Sequence, residues 1–292
     1  MKPDQPSMPE PLDIGPWGPS IRPYADWLDR LDPAAARHWA LRLRSPEPTS
    51  VEGAVAEAVA WDFLSHRVDL ISPGVLATGG PDFRCEKAGL TFYVEVTNLT
   101  RSVVTEWTGL SEELTGPRNF GDLTGLIKRE VSGKAGQGRN LGAPYVVFVA
   151  TLHGMASHIC VDRAHVAHVL HSTTAISGDF DPDRGEVVGP LRQITRMELS
   201  TFTKQFSIDP ARRNVSAVLV GGFGTYPDVR VLGVSHPDPA CPFDSSLLHD
   251  VPFFELTAWP PDPRILTRWT LPEREPKRRS LMRAWIQQMQ AR

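Results

Sequence analysis

The sequence predicts a mixed α/β fold, with a core over 50–151 in the order helix, strand, strand, strand, helix, strand, a helical N-terminal addition and an α+β C-terminal one. Three observations predict it. The stretch at about 51–65 is alanine-rich and suits a helix. Phe92, Val94 and Val96 alternate with Tyr93, Glu95 and Thr97, which is the period of a strand. Tyr145 to Thr151 is a continuous apolar run, the pattern of a central strand covered on both faces.

Taken in order, residues 1–20 are rich in proline and glycine and read as a surface arm. Trp27, Leu28, Leu31, Ala35 and Trp39 recur near helical spacing, predicting one helix over 25–44 that Pro46 and Pro48 close. Ser50 is the expected N-cap of the next helix. Val68 to Ser72 reads as a short strand before the Pro73-Gly74 turn, and Gly79-Gly80-Pro81 is a second break. Asp82 to Cys85 begins a strand, and a turn over 86–89 leads into the strand from Thr91 to Thr97. A helix is expected over 121–137 and another over 162–171. A loop through Gly178 to Gly189 follows, then strands at 215–220 and 229–234 and a basic terminal helix. The expected units are an arm and helix at 1–49, the core at 50–151, an α+β extension at 152–272 and the basic helix at 273–292.

Composition bounds the function classes. With 41% hydrophobic and 22% charged residues, the 292-residue chain has the balance of a globular protein and can bury a core without staples. Cys85, Cys160 and Cys241 form no CxxC pair, so a zinc ribbon and a disulfide framework are both unsupported and a reduced, cytoplasmic setting is expected. No apolar segment approaches the roughly 20 residues that span a bilayer, and the N-terminus lacks the apolar region of a signal peptide. A net charge of −3 disfavours a wholly basic surface but allows a local basic channel.

The chemistry sits in two acids. Asp82 opens one short strand and Glu95 lies within the next, so a hairpin would bring both carboxylates to one point on the sheet. Two carboxylates with waters and a phosphate oxygen suit Mg²⁺, which can polarise a phosphate and lower the pKa of an attacking water. The plain alternative makes Asp82 a turn residue and Glu95 a solvent-facing strand position. Against it, Glu95 stands inside the strongly β-forming Tyr93-Val94-Glu95-Val96-Thr97, in the middle of the core.

The run Gly80-Pro81-Asp82-Phe83, followed by Phe92-Tyr93-Val94-Glu95-Val96-Thr97, resembles the PD-(D/E)XK restriction-endonuclease-like nuclease superfamily. It is most similar to bacterial members whose motif reads GPDF…(W/Y)-(I/V)-E-(V/A), and Asn214 to Leu219 and His236 to Ala240 are similar to their tail. The resemblance spans about 50–245. It implies a divalent-metal-dependent nuclease acting on DNA or RNA, with Asp82, Glu95 and the Val96 carbonyl on the metal. One position departs from it. The lysine that the family carries two residues after the glutamate is Thr97 here, and threonine supplies no cation to the reacting phosphate.

Some members of that family place the lysine on the following helix, and periodicity shows where it would fall. Leu123, Ile127 and Val131 mark the inward stripe of helix 121–137, and Lys134 continues it while Lys128 points away. Lys134, with Gln137 one turn on, is therefore the candidate for the displaced function. Its alternative is a lysine snorkelling at a helix C-terminus near Arg139. A third acid is expected on helix 51–65. Glu52 shares a face with Val55, Val59 and Phe63 and is preferred, although a carboxylate in a first turn is favourable anyway; Glu57 lies roughly opposite.

Other signals are weaker. His158, His165, His168 and His171 fan round a helix without a carboxylate or cysteine to complete a zinc site. Gly133-Lys134 fails the phosphate-loop pattern, because Lys128 holds its first glycine position. The basic tail with Lys277, Arg278, Arg279 and Arg283 could follow a phosphate backbone or simply dock on its own domain. The leading expectation is a Mg²⁺- or Mn²⁺-dependent nuclease whose partner is nucleic acid, DNA before RNA, with no membrane contact and a homodimer as one option. The competing expectation is a catalytically inactive nuclease-fold protein that binds nucleic acid or protein.

Overall fold

The computed structural model describes residues 15–74, 80–111, 120–171, 175–194, 197, 200–204, 207–224, 230–260 and 267–272. Three helices open the chain, α1 (Gly18–Leu31), α2 (Pro33–Leu43) and α3 (Pro48–Ser65). The expected single helix over 25–44 is thus two. Asp32 ends the first and caps the second, its side chain accepting from the Ala34 and Ala35 amides at 3.0 and 2.9 Å, and Pro33 at the first helical position has no amide to leave unpaired. α3 starts at Pro48, ahead of the expected Ser50 cap. Part of the expected arm is structured too: Trp17 donates its indole N–H to the Phe223 carbonyl at 2.9 Å, and α1 begins one residue later.

β1 (Leu70–Pro73), β2 (Phe83–Lys87) and β3 (Leu90–Leu99) follow, then α4 (Arg101–Thr108), α5 (Phe120–Lys134) and β4 (Tyr145–Thr151). After β4 come α6 (Gly154–Cys160), α7 (Arg163–Leu170), β5 (Ala175–Asp181), β6 (Glu186–Ile194), β7 (Ala217–Gly222), β8 (Arg230–Ser235), β9 (Phe253–Leu256) and β10 (Thr267–Trp269). Eight strands make one mixed sheet in the order β1-β2-β3-β4-β7-β8-β9-β10. β3, β4 and β7 are mutually parallel at its centre, and antiparallel pairs flank them. The segment expected as a loop over 178–189 is instead the β5–β6 hairpin, a separate two-stranded sheet. The basic terminal helix expected at 273–292 lies outside the described residues.

Burial explains the sequence pattern of the centre. Val146, Phe148 and Ala150 of β4 pack with α1, α2 and α3 on one face, while Tyr145, Val147 and Val149 pack with α5, α6 and α7 on the other. Every residue of β4 is buried, so its run needs no polar alternation. Among the described residues no helix is long and apolar enough to cross a membrane.

Candidate functional site

The β2–β3 hairpin sets the position of the two acids. Phe83 pairs with Val94 and Cys85 with Phe92, and extending that antiparallel register one step sets Asp82 across from Glu95. Side chains opposite each other in an antiparallel pair lie on the same face. The hairpin ends here: Asp82 Oδ2 accepts the Val96 amide at 2.7 Å, so a side chain replaces the next backbone partner. In an extended residue the N–H and C=O point to the same side. The Val96 carbonyl therefore shares Asp82's side of β3.

Glu95 points from β3 towards α5 and is 3% exposed. Lys134, in the last turn of α5, donates to Glu95 Oε1 at 2.7 Å. Gln137, with its amide nitrogen turned to the carboxylate, donates to Oε1 at 2.8 Å and Oε2 at 3.3 Å. Tyr145 donates its hydroxyl to the Lys134 carbonyl at 3.0 Å, tying the end of α5 to the first residue of β4. The Lys134 ammonium thus meets Glu95 while its side chain stays 31% exposed. Thr97, on the same face two residues after Glu95, donates to Glu130 Oε2 at 2.9 Å.

Of the two glutamates on α3, Glu57 is the one that lies near Asp82 and Glu95, and Glu52 meets other partners. Glu52 accepts the Arg101 amide at 2.9 Å and the Asn98 side-chain amide at 3.2 Å, and so serves the start of α4. Glu57 lies in the field of Asp82 and Glu95 and is paired with Arg42 Nη1 at 2.6 Å. The expectation failed because it gave α3 one polar face. Ala54, Val55, Ala56, Ala58, Val59, Ala60, Phe63 and Leu64 are all buried, so the helix is covered by α1 and α2 as well as by the sheet. Position on the apolar stripe then no longer separates the two glutamates.

Electrostatics bind the group together. Burial, and then the charge of Asp82, push Glu95 well above the usual carboxylate range, and Lys134 offsets only part of this. Burial and the charge of Asp82 push Glu57 up in the same way against the pull of Arg42. Asp82 is raised by burial, against the Val96 amide, Lys134 and Arg42. Burial pulls Lys134 down, but the hydrogen bond to Glu95 and the charges of Glu95, Asp82 and Glu130 outweigh it and raise it overall. Tyr24 of α1 is also in range, its hydroxyl pushed up by burial and by Glu57 and Asp82.

The donor set suits a hard divalent ion. Asp82 and Glu95 offer carboxylate oxygens: Asp82 Oδ2 and Glu95 Oε1 each meet a donor at 2.7 Å, Glu95 Oε2 meets Gln137 at 3.3 Å, and the Val96 carbonyl points to Asp82's side of β3. Among the described residues no three His, Cys, Asp or Glu side chains are grouped as a metal cage. That agrees with Arg42 holding Glu57, and Mg²⁺ takes one or two carboxylates with water rather than a full cage. Arg42, Tyr24 and Glu130 were not read from the sequence. Glu130, four residues before Lys134, carried a helical-spacing signal; Arg42 and Tyr24 carried none, since they come from outside the expected core. Comparison of the chain with protein-family models, with curated proteins and with solved structures gave no match.

Proposed function

We propose that this protein is a divalent-metal-dependent phosphodiesterase acting on nucleic acid, with a restriction-endonuclease-like core over 50–151. The observation that carries the reading is the Lys134–Glu95 contact at 2.7 Å beside Asp82. It supplies, from α5, the cation that Thr97 denies to the strand. The expected order of helices and strands supports the same reading, as do the parallel centre and antiparallel flank of the sheet.

In this reading Asp82, Glu95 and the Val96 carbonyl would hold Mg²⁺ or Mn²⁺. When bound, such an ion polarises a phosphoryl oxygen and makes water a nucleophile near neutral pH. Lys134 keeps a proton-bearing cation at the carboxylates, where it orients a water or stabilises charge that builds on the phosphorane. Gln137 fixes the Glu95 carboxylate from a second side, and Glu130 holds Thr97 away from the reacting centre. The inactive-descendant reading has two observations in its favour, Thr97 and the net charge of −3. A buried acid pair with a matched lysine has no structural use that an apolar pair would not serve at lower cost.

The decisive measurement is cleavage of end-labelled DNA and RNA with Mg²⁺ or Mn²⁺ by wild type and by Asp82→Ala. Metal-dependent cleavage that Asp82→Ala abolishes is the expected result. Equal cleavage by both proteins, or none by wild type with either metal, sinks the assignment.

A further inference from the structure

α2 lies outside the αβββαβ segment, yet it delivers a guanidinium to the carboxylate cluster. Arg42 Nη1 meets Glu57 Oε1 at 2.6 Å, and Nη2 lies 3.0 Å from where a Cβ on Gly53 would stand. The guanidinium therefore lies against α3 at Gly53, where an added methyl would press on it. Glycine inside a helix costs about 1 kcal/mol relative to alanine, so its presence here has to be repaid by what it admits. Arg42 is 31% exposed and Glu57 14%, which puts the cation at the mouth and the acid behind it.

We propose that Arg42 is a phosphate-contacting residue of this site, held in a fork-ready pose by Glu57 and by the absent side chain of Gly53. This rests on the phosphodiesterase reading above. Guanidinium has five donors in a planar fork that matches a phosphate's oxygens, and the Glu57 contact uses one of them. Lys134 is engaged on the α5 side of the sheet and Arg42 on the α3 side, and the charge of each reaches Asp82. Arg42 also lowers both Asp82 and Tyr24, which shows its field reaching the acids from the mouth.

The competing role is a clamp that only positions Glu57. Binding of fluorescein-labelled single-stranded and duplex DNA and RNA, measured against salt with Ca²⁺ in place of Mg²⁺, separates the two. Arg42→Ala is expected to weaken binding several-fold at low salt and to reduce the slope of log affinity on log salt by about one. Mn²⁺ affinity by calorimetry should stay or tighten, because a cation competing for the carboxylates has gone. Arg42→Gln, which can still hydrogen-bond Glu57, is the second variant and should lose the same slope. An unchanged slope, with Mn²⁺ affinity that falls in Arg42→Ala and returns in the Arg42→Ala/Glu57→Gln double variant, overturns the proposal in favour of the clamp. If wild type cleaves and Asp82→Ala does not, that result leaves the nuclease reading standing and removes only Arg42. If wild type binds none of the probes, both fall.

Discussion

Two glutamates five residues apart on α3 have opposite jobs, and single substitutions should separate them. Glu52 serves backbone and side-chain donors at the start of α4. Glu52→Ala should therefore lower stability in urea by about 1–2 kcal/mol and leave Mn²⁺ affinity unchanged. Lys134 is the converse case. Lys134→Met removes the only ammonium bonded to Glu95 among the described residues. Cleavage should fall by about 10²-fold or more with Mn²⁺ still bound. Cleavage at the wild-type rate would mean that α5 does not supply the catalytic cation. The lysine was legible in the sequence because α5 buries a single stripe, Leu123, Ile127 and Val131, and Lys134 continues it. Glu57 was not, because α3 is buried nearly all round.

At the scale of elements, what could be read followed local signals, and what was missed depended on partners. β4 lies where its apolar run lies, and β3 where its alternation is, extended by one residue before it and two after. α4 and α6 are eight and seven residues long, too short to show a repeat of hydrophobic spacing. They are fixed instead by caps, with Thr100 accepting the Val103 amide and His153 the Ala156 amide. β9 and β10 are four and three residues long and depend on pairing, β9 with β8 and β10 with β9. The break at Asp32-Pro33 did carry a local signal, which the even spacing of apolar residues on either side concealed. Packing between α2 and α3 gives a further prediction. Gly53→Ala gains helix propensity worth up to about 1 kcal/mol, while the new methyl meets Arg42 Nη2 at 3.0 Å. A guanidinium at the end of a flexible side chain can retreat, so the variant should melt at a higher temperature than wild type. Its salt slope for nucleic acid should shift towards that of Arg42→Ala. A higher melting temperature with an unaltered slope would show that Gly53 does not set the arginine's pose.

For the molecule as a whole, the sheet divides two apolar layers, and the acids sit where β2 ends and that division opens. The N-terminal layer delivers Arg42, Glu57 and Tyr24, and the other layer delivers Lys134 and Gln137. The far side of the sheet has its own ionisable group, whose effect on stability can be separated from the site. His236 follows β8, is 4% exposed and packs against Phe202 with ring centroids 4.6 Å apart. Its Nε2 donates to the Ala211 carbonyl at 2.8 Å and its Nδ1 accepts the Asp238 amide at 2.9 Å. The second bond needs the Nδ1 lone pair of the neutral ring, whereas the first survives protonation. Burial lowers its pKa to about 4, and Arg213 and Arg212 add to this against the Ala211 hydrogen bond and Asp238. The unfolded chain takes up the proton near pH 6.5 and the folded chain does not until about pH 4. Over that window the unfolded state binds more protons, so stability falls as pH falls and the loss is complete below the folded value. The full difference is about 3 kcal/mol. His236→Gln cannot charge, so metal-free wild type should lose about 3 kcal/mol more than the variant between about pH 7 and pH 4 in urea unfolding. Parallel pH profiles for the two proteins would show that this ring titrates alike in the folded and unfolded chain.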